Sequence, residues 1–215
     1  MTLGAGAGAF VSAMLVSSRA FALEDDGSSR GPLGAVHPEA AFTVMAGPAL
    51  PQYQGYGPGP MGGGPGVRAG ASLYGFYGGL SYVDFLGESD CLDSLPGGCG
   101  SNSGMSLGAE VGYGRTFFER LIARGLVGVG DYVATSDGWY QTCADGFSSC
   151  TTTTSHHTSH NVYLQPGILV AVTLGPVLVG ADASFLYVPR GTPPGGSTSS
   201  PFAALMLGVQ LGARL

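Results

Sequence analysis

Over the last fifty-five residues apolar positions alternate with small or polar ones. In 161–174, Val162, Leu164, Ile168, Val170, Val172 and Leu174 share one face, and Tyr163, Gln165, Gly167, Ala171 and Thr173 share the other. In 202–215, Ala203, Leu205, Leu207, Val209, Leu211 and Ala213 alternate with Ala204, Met206, Gly208, Gln210, Gly212 and Arg214. Segment 177–188 alternates in the same way. A period of two predicts strands, and these run longer than the usual five or six residues of a soluble sheet. A strand tilted through a bilayer needs about nine to eleven residues. The apolar row is therefore expected to face lipid, and the small, polar row the inside of a barrel.

The same writing recurs upstream. Segment 37–47 sets Ala40, Phe42, Val44 and Ala46 against Glu39, Thr43 and Gly47, and 67–74 sets Val67, Ala69, Ala71 and Leu73 against Arg68, Gly70 and Ser72. Segment 76–86 has no clear parity, because Leu80 and Tyr82 oppose Tyr77, Val83 and Phe85. Segment 105–117 is clean: Met105, Leu107, Ala109, Val111, Tyr113 and Phe117 against Ser106, Gly108, Glu110, Gly112, Gly114 and Thr116. With 121–133 these make eight strands. The first, 37–47, is the weakest, and without it the count falls below the smallest barrels that span a membrane. Short connections fall near 75, at 118–120 and at 175–176, and long loops near 48–66, 87–104, 134–159 and 189–201. Alternating short turns and long loops fit an even-stranded outer-membrane barrel with its turns and both chain ends in the periplasm.

Composition narrows the class further. The chain has 215 residues, 44% hydrophobic and 10% charged, with a formal net charge of -6. This excludes a nucleic-acid binder, which would present a basic face. The 39 glycines follow no Gly-X-Y period, so collagen is excluded. Residues 1–22 read as a secretory signal, with an apolar core through Val16, then Arg19, and Ala20, Phe21, Ala22 as a small-x-small cleavage site before Leu23. No basic residue precedes the apolar core. Residues 23–36 are polar and Gly-rich and read as a flexible periplasmic lead. The domain reading is thus signal peptide 1–22, lead 23–36 and barrel 37–215.

The strings GYGRTFFERLIARGLVGVG, NVYLQPGILVAVTLGPVLVGADASFLYV and ALMLGVQLGARL resemble the small OmpA/OmpX-type outer-membrane barrels of Gram-negative bacteria, over about residues 37–215. The likeness is one of layout. Leu215 stands where such barrels usually end in an aromatic residue. The resemblance implies an all-β, closed, antiparallel, eight-stranded transmembrane barrel behind a cleaved signal peptide, located in the outer membrane. Its implied partners are outer-membrane lipid and the outer-membrane assembly machinery. It does not fix a function, since such barrels serve as anchors, adhesins, small channels and a few lipid-modifying enzymes.

Candidate chemistry lies on the inward rows and in the loops. The inward rows hold three acids, Glu39, Glu110 and Asp182, and three bases, Arg68, Arg124 and Arg214. Buried charges are costly unless paired, so this balance points to a plugged lumen, with a gated ion path as the sharper alternative. Arg124 is expected among Glu110 and Asp182, with Leu126, Tyr132 and Met206 filling space around them. Four cysteines, Cys91 with Cys99 and Cys143 with Cys150, predict two local disulfides in an exported protein. His156, His157 and His160 could hold a metal, although a solvated loop tract is the plainer reading and no cofactor is expected. No G-x-S-x-G motif is present, and the protein is not expected to be an enzyme. The reading is a structural or surface-interaction barrel with an unknown surface partner and no nucleic-acid partner. The alternatives are a channel for a small or apolar solute, an outer-leaflet lipid-modifying enzyme, and a soluble exported barrel.

Overall fold

Among the described residues the chain forms β1 (His37–Ala46), β2 (Gly64–Leu73), β3 (Phe76–Phe85), β4 (Ser89–Leu92), β5 (Gly98–Phe117), β6 (Leu121–Ala144), β7 (Ser149–Leu174), β8 (Val177–Gly191) and β9 (Ser200–Arg214). The computed structural model describes residues 36–47, 63–87, 89–92, 98–144, 149–191 and 200–215. The signal peptide read at 1–22, nearly all of the lead at 23–36 and most of the loops read at 48–66 and 189–201 lie outside them.

Neighbouring strands pair in the order β3-β2-β1-β9-β8-β7-β6-β5, and β3 also bonds β5, so eight antiparallel strands close into a ring. The short β4 pairs with the β5 extension, outside the ring. The seam joins the first and last strands, from Glu39 opposite Arg214 to Ala46 opposite Leu207. Closure leaves no row of unpaired backbone groups, which is the condition for a sheet to lie in hydrocarbon.

Turn chemistry fixes the register at one end. Leu73 lies opposite Phe76 across Tyr74 and Gly75, whose φ values of 54° and 84° are both positive, as a type I′ hairpin requires. Gly175, at φ 63°, opens the equally tight turn that sets Leu174 opposite Val177. Phe118 and Glu119 take positive φ in the third short turn, between Phe117 and Leu121. Within β7, Pro166 has no N–H to donate. The β7–β8 ladder skips from Leu164–Tyr187 to Gly167–Ser184 in unchanged register, and Pro166 keeps its partner Val127 on the β6 side.

Alternation sorts the two faces. Phe42, Val44, Leu107, Val111, Val127, Ile168, Val170, Leu207 and Val209 lie outside and are exposed, whereas Glu110, Asp182, Met206 and Gln210 point inward and are buried. In β3, Tyr77, Val83 and Phe85 turn inward and Leu80 outward. The outward row of β7 from Val162 to Leu174 carries no charge. At about 3.3 Å per residue and a tilt of about 40°, it spans roughly 30 Å. Among the described residues the outward row meets charge only at the ends of the barrel: Asp84 and Asp131 at one, Arg115 and the Glu119–Arg120 turn at the other. Exposed Tyr74, Phe76, Tyr113, Phe117 and Phe118 gather at the turn end, as aromatic residues do at a membrane interface.

Two segments read as loops are strands instead. Residues 134–159 are paired from Ala134–Ser159 up to Ala144–Ser149, so β6 and β7 continue as a two-stranded ribbon beyond the barrel. Both faces of such a ribbon meet water, so the apolar alternation that marks a strand disappears, while a run such as Thr151 to Thr154 keeps strand propensity. Residues 87–104 likewise contain β4 and the start of β5 from Gly98, with Cys91 opposite Cys99.

Candidate functional site

Side chains fill the lumen in layers. Toward the ribbon end, Met45, Val83, Phe85, Tyr132, Ala134, Tyr163, Leu186, Val188, Ala204 and Met206 form one buried apolar cluster. Toward the turn end, Tyr77, Ile122, Leu126, Leu169, Ala171 and Leu178 form a second. Inward glycines make room for the large members. A Cβ at Gly108 would meet Tyr163 Oη at 2.1 Å and the Val129 carbonyl at 2.5 Å.

All six charged residues of the inward rows project into this space, in two groups. At mid-height Arg68, from β2, reaches over the inward face of β3 to Glu110 on β5 with Nε–Oε2 2.7 Å and Nη2–Oε1 3.1 Å. Its Nη1 donates to Gln210 Oε1 at 3.1 Å and lies 3.9 Å from Asp182 Oδ1. Nearer the turns, Arg124 binds Glu39 in a fork, Nη1–Oε2 3.0 Å and Nη2–Oε1 2.9 Å, and stacks over the Tyr77 ring at 4.3 Å. Glu39 Oε1 also accepts from Ser72 Oγ at 2.8 Å and lies 3.5 Å from Arg214 Nε. Bidentate arginine–carboxylate pairs are the strong, directional kind.

The expected company of Arg124 is thereby corrected. It pairs with Glu39, and Arg68 takes the place beside Glu110 and Asp182. Strand tilt is the reason: Arg124 stands opposite Gly114 in the β5–β6 ladder, four residues along β5 from Glu110 and toward the turns. Gln210, Ser72 and Tyr77 were not singled out in the sequence as members of these groups. Their inward parity was readable; Ser72 meets Glu39 from the neighbouring strand, and Gln210 and Tyr77 meet their arginines over one intervening strand, so the partners depend on the registers of the ladders between them.

The two groups are not neutral. Arg68 faces two acids, Glu110 and Asp182, and both Asp182 oxygens lack a hydrogen bond although the residue is buried. Arg124 and Arg214 share the single acid Glu39.

The ribbon carries the remaining candidates. Cys143 and Cys150 are bonded to each other directly across it, with their Cα atoms 4.0 Å apart. Cys99 is disulfide-bonded; the Cys91 side chain lies outside the described residues. His156 and His160 share the outward face, and strand alternation puts His157 on the other. His156 Nδ1 meets Asp137 Oδ1, and His160 Nδ1 meets Asp131 Oδ2 at 2.7 Å. His156 Nε2 also lies 3.4 Å from Thr158 Oγ1, an acid–imidazole–hydroxyl order. The site is open to water, however, and the hydroxyl contact is long. Among the described residues no three metal-binding side chains converge.

A closed eight-stranded sheet with an apolar band outside and a filled interior defines the class: this is a small outer-membrane β-barrel, and its band places it in membrane lipid. No protein-family model matches the chain, and no curated protein is significantly similar to it. Among solved structures it is similar to a major outer membrane protein from Thermus thermophilus, with 15% identity and a TM-score of 0.55 over 83% of this chain and 99% of that one. It also aligns with Ail, the attachment invasion locus protein of Yersinia pestis, with 10% identity and a TM-score of 0.45 over 85% and 99%. Neisserial surface protein A gives 11% identity and a TM-score of 0.44 over 84% and 96%. The Thermus match supports the fold and nothing finer, and the other two superpose too loosely to add to it.

Proposed function

We propose that this protein is a non-conducting outer-membrane anchor that holds the β6–β7 ribbon outside the cell as a structural or interaction element. In this reading residues 1–22 direct export and are removed before Leu23, and the outer-membrane assembly machinery inserts the barrel. The short turns face the periplasm and the ribbon faces outward, as the length asymmetry of such barrels implies. The observation that carries the reading is the lumen. Eight strands leave room only for side chains, and here two apolar clusters and two guanidinium–carboxylate groups occupy it. The ribbon supports the second half of the reading: it is stapled at Cys143–Cys150 and exposes Thr, Ser and His side chains on both faces.

Two measurements on the full chain test this. Planar-bilayer recordings are expected to show no steady, large conductance; a persistent open level would replace the anchor with a channel. Protease added to intact cells is expected to cut within 137–156 and leave the barrel whole. A ribbon protected in intact cells and cut only after the envelope is opened would reverse the orientation and remove the interaction role.

A further inference from the structure

The turn end of the barrel carries a cavity of about 440 Å³ that the anchor reading leaves unused. It arises from unequal strand ends. The β2–β3 hairpin closes at Tyr74 and Gly75, and the last β5 residue opposite β3 is Tyr113, yet β5 continues to Phe117. The Gly114 amide donates to the Gly75 carbonyl at 2.9 Å. Thr116, two residues further, turns its amide to the same side, where no strand partner stands among the described residues. The notch so left opens from the rim into the lumen.

Its walls are basic. Arg115, Thr116, Arg124, Arg214, His37 and Ser72 line it. The only carboxylate ion-paired with any of the three arginines, among the described residues, is Glu39, and the Arg124 fork largely occupies it. Among the described residues the Arg214 guanidinium makes long contacts only, 3.5 Å to Glu39 and 3.5 Å to Ser72 Oγ, and Arg115 forms no ion pair. Arg214 comes from the inward row and Arg115 from the outward row, so the two line the cavity from either side of the notch. Both have unused guanidinium donors among the described residues, and with surplus positive charge this suits a tetrahedral anion entering through the notch. The mouth opens beside exposed Tyr74, Phe76 and Tyr113, and the last two are in tilted contact with centroids 5.0 Å apart. Such aromatic residues lie at headgroup depth.

We propose that this cavity binds a phosphate group, presented by the headgroup of an anionic phospholipid in the leaflet that surrounds the turns. Arg115 and Arg214 hold the phosphate oxygens, Thr116 adds its amide, and the aromatic residues at the mouth pack the glycerol and upper acyl carbons.

Native mass spectrometry of the full chain, released from detergent with equal amounts of phosphatidylglycerol and phosphatidylcholine, tests the assignment. One phosphatidylglycerol is expected to be retained in preference to phosphatidylcholine. Arg115→Gln, at an exposed position, is expected to lower that retention about tenfold, the loss of one charged bidentate contact. Arg120→Gln, which removes a charge from the neighbouring turn outside the cavity, is expected to leave it unchanged. Heat-modifiability of both variants shows that the barrel has formed. Displacement of the lipid by excess inorganic phosphate confirms that the headgroup phosphate is the recognised part. Binding of inorganic phosphate with neither lipid retained overturns the lipid source. Equal retention of both lipids, or equal loss in the two variants, overturns the site.

Discussion

At the scale of single residues, the interior is governed by two constraints: space and charge. Gly108 is inward on β5, where Tyr163 from β7 comes across to fill the lumen, and the Val129 carbonyl leaves no room for a methyl group. Gly108→Ala is expected to destabilise the folded barrel by about 1–3 kcal/mol, the usual penalty of overpacking, measured by urea unfolding in liposomes. Charge gives the larger effect. Arg68→Met leaves Glu110 and Asp182 buried without their cation, and a loss of about 3–5 kcal/mol is expected. In Arg68→Met/Glu110→Gln one uncompensated acid is also removed, so the double variant is expected to be more stable than the single one. A double variant as unstable as the sum of its parts would mean that the pair is not coupled. The inward orientation of all six charges was legible in the sequence, because parity alone decides it. Which base meets which acid was not, because Arg68 and Glu110 sit on either side of β3 and meet over its inward face, which depends on the registers of two ladders at once.

At the scale of elements, strands were legible where one face meets lipid and the other the lumen. Residues 105–117 of β5, 161–174 of β7 and 203–214 of β9 show that contrast in nearly every residue, β1 shows it more weakly, and even Leu215 is tied in, its amide donating to the Pro38 carbonyl at 3.0 Å. The ribbon formed by the far ends of β6 and β7 was not legible as strand, since water bathes both its faces. What identifies it in hindsight is cross-strand complementarity: Asp137 lies opposite His156, Cys143 opposite Cys150, and Asp131 reaches His160. The cysteine pair was readable from its spacing alone, but the two Asp–His pairs cannot be recognised until the register is known. The staple closes only a short loop, with a sequence separation of 7, so the chain-entropy model assigns it about 2–3 kcal/mol. Cys143→Ser with Cys150→Ser is therefore expected to fray the ribbon tip without opening the barrel. Hydrogen exchange should quicken near 138–155 and remain slow in 105–113. Equal acceleration in both regions would show that ribbon and barrel unfold as one unit.

At the scale of the whole molecule, the apolar band and the charges that end it define how the barrel sits in lipid. The outward row of β7 runs Val162, Leu164, Pro166, Ile168, Val170, Val172, Leu174, with the Asp131–His160 pair above its first member and the Gly175–Pro176 turn below its last. The midplane of a band roughly 30 Å tall then falls near Ile168. An arginine there has no water within reach and no lumen partner, because its side chain points away from the barrel. Ile168→Arg is expected to cost about 2–4 kcal/mol, whereas Val162→Arg, close to the polar rim, is expected to cost about 0–1 kcal/mol. The depth profile separates a membrane barrel from a soluble one more cleanly than either value alone. In water, an arginine at any exposed outward position would be nearly neutral, and Val162 and Ile168, exposed at 67% and 61%, would respond alike. Folding free energies of the two variants in phosphatidylcholine vesicles decide it. A flat profile would remove the bilayer from the account of the outer face, and a maximum displaced toward Leu174 would shift the barrel outward along its axis and carry the arginine-lined cavity deeper into the hydrocarbon.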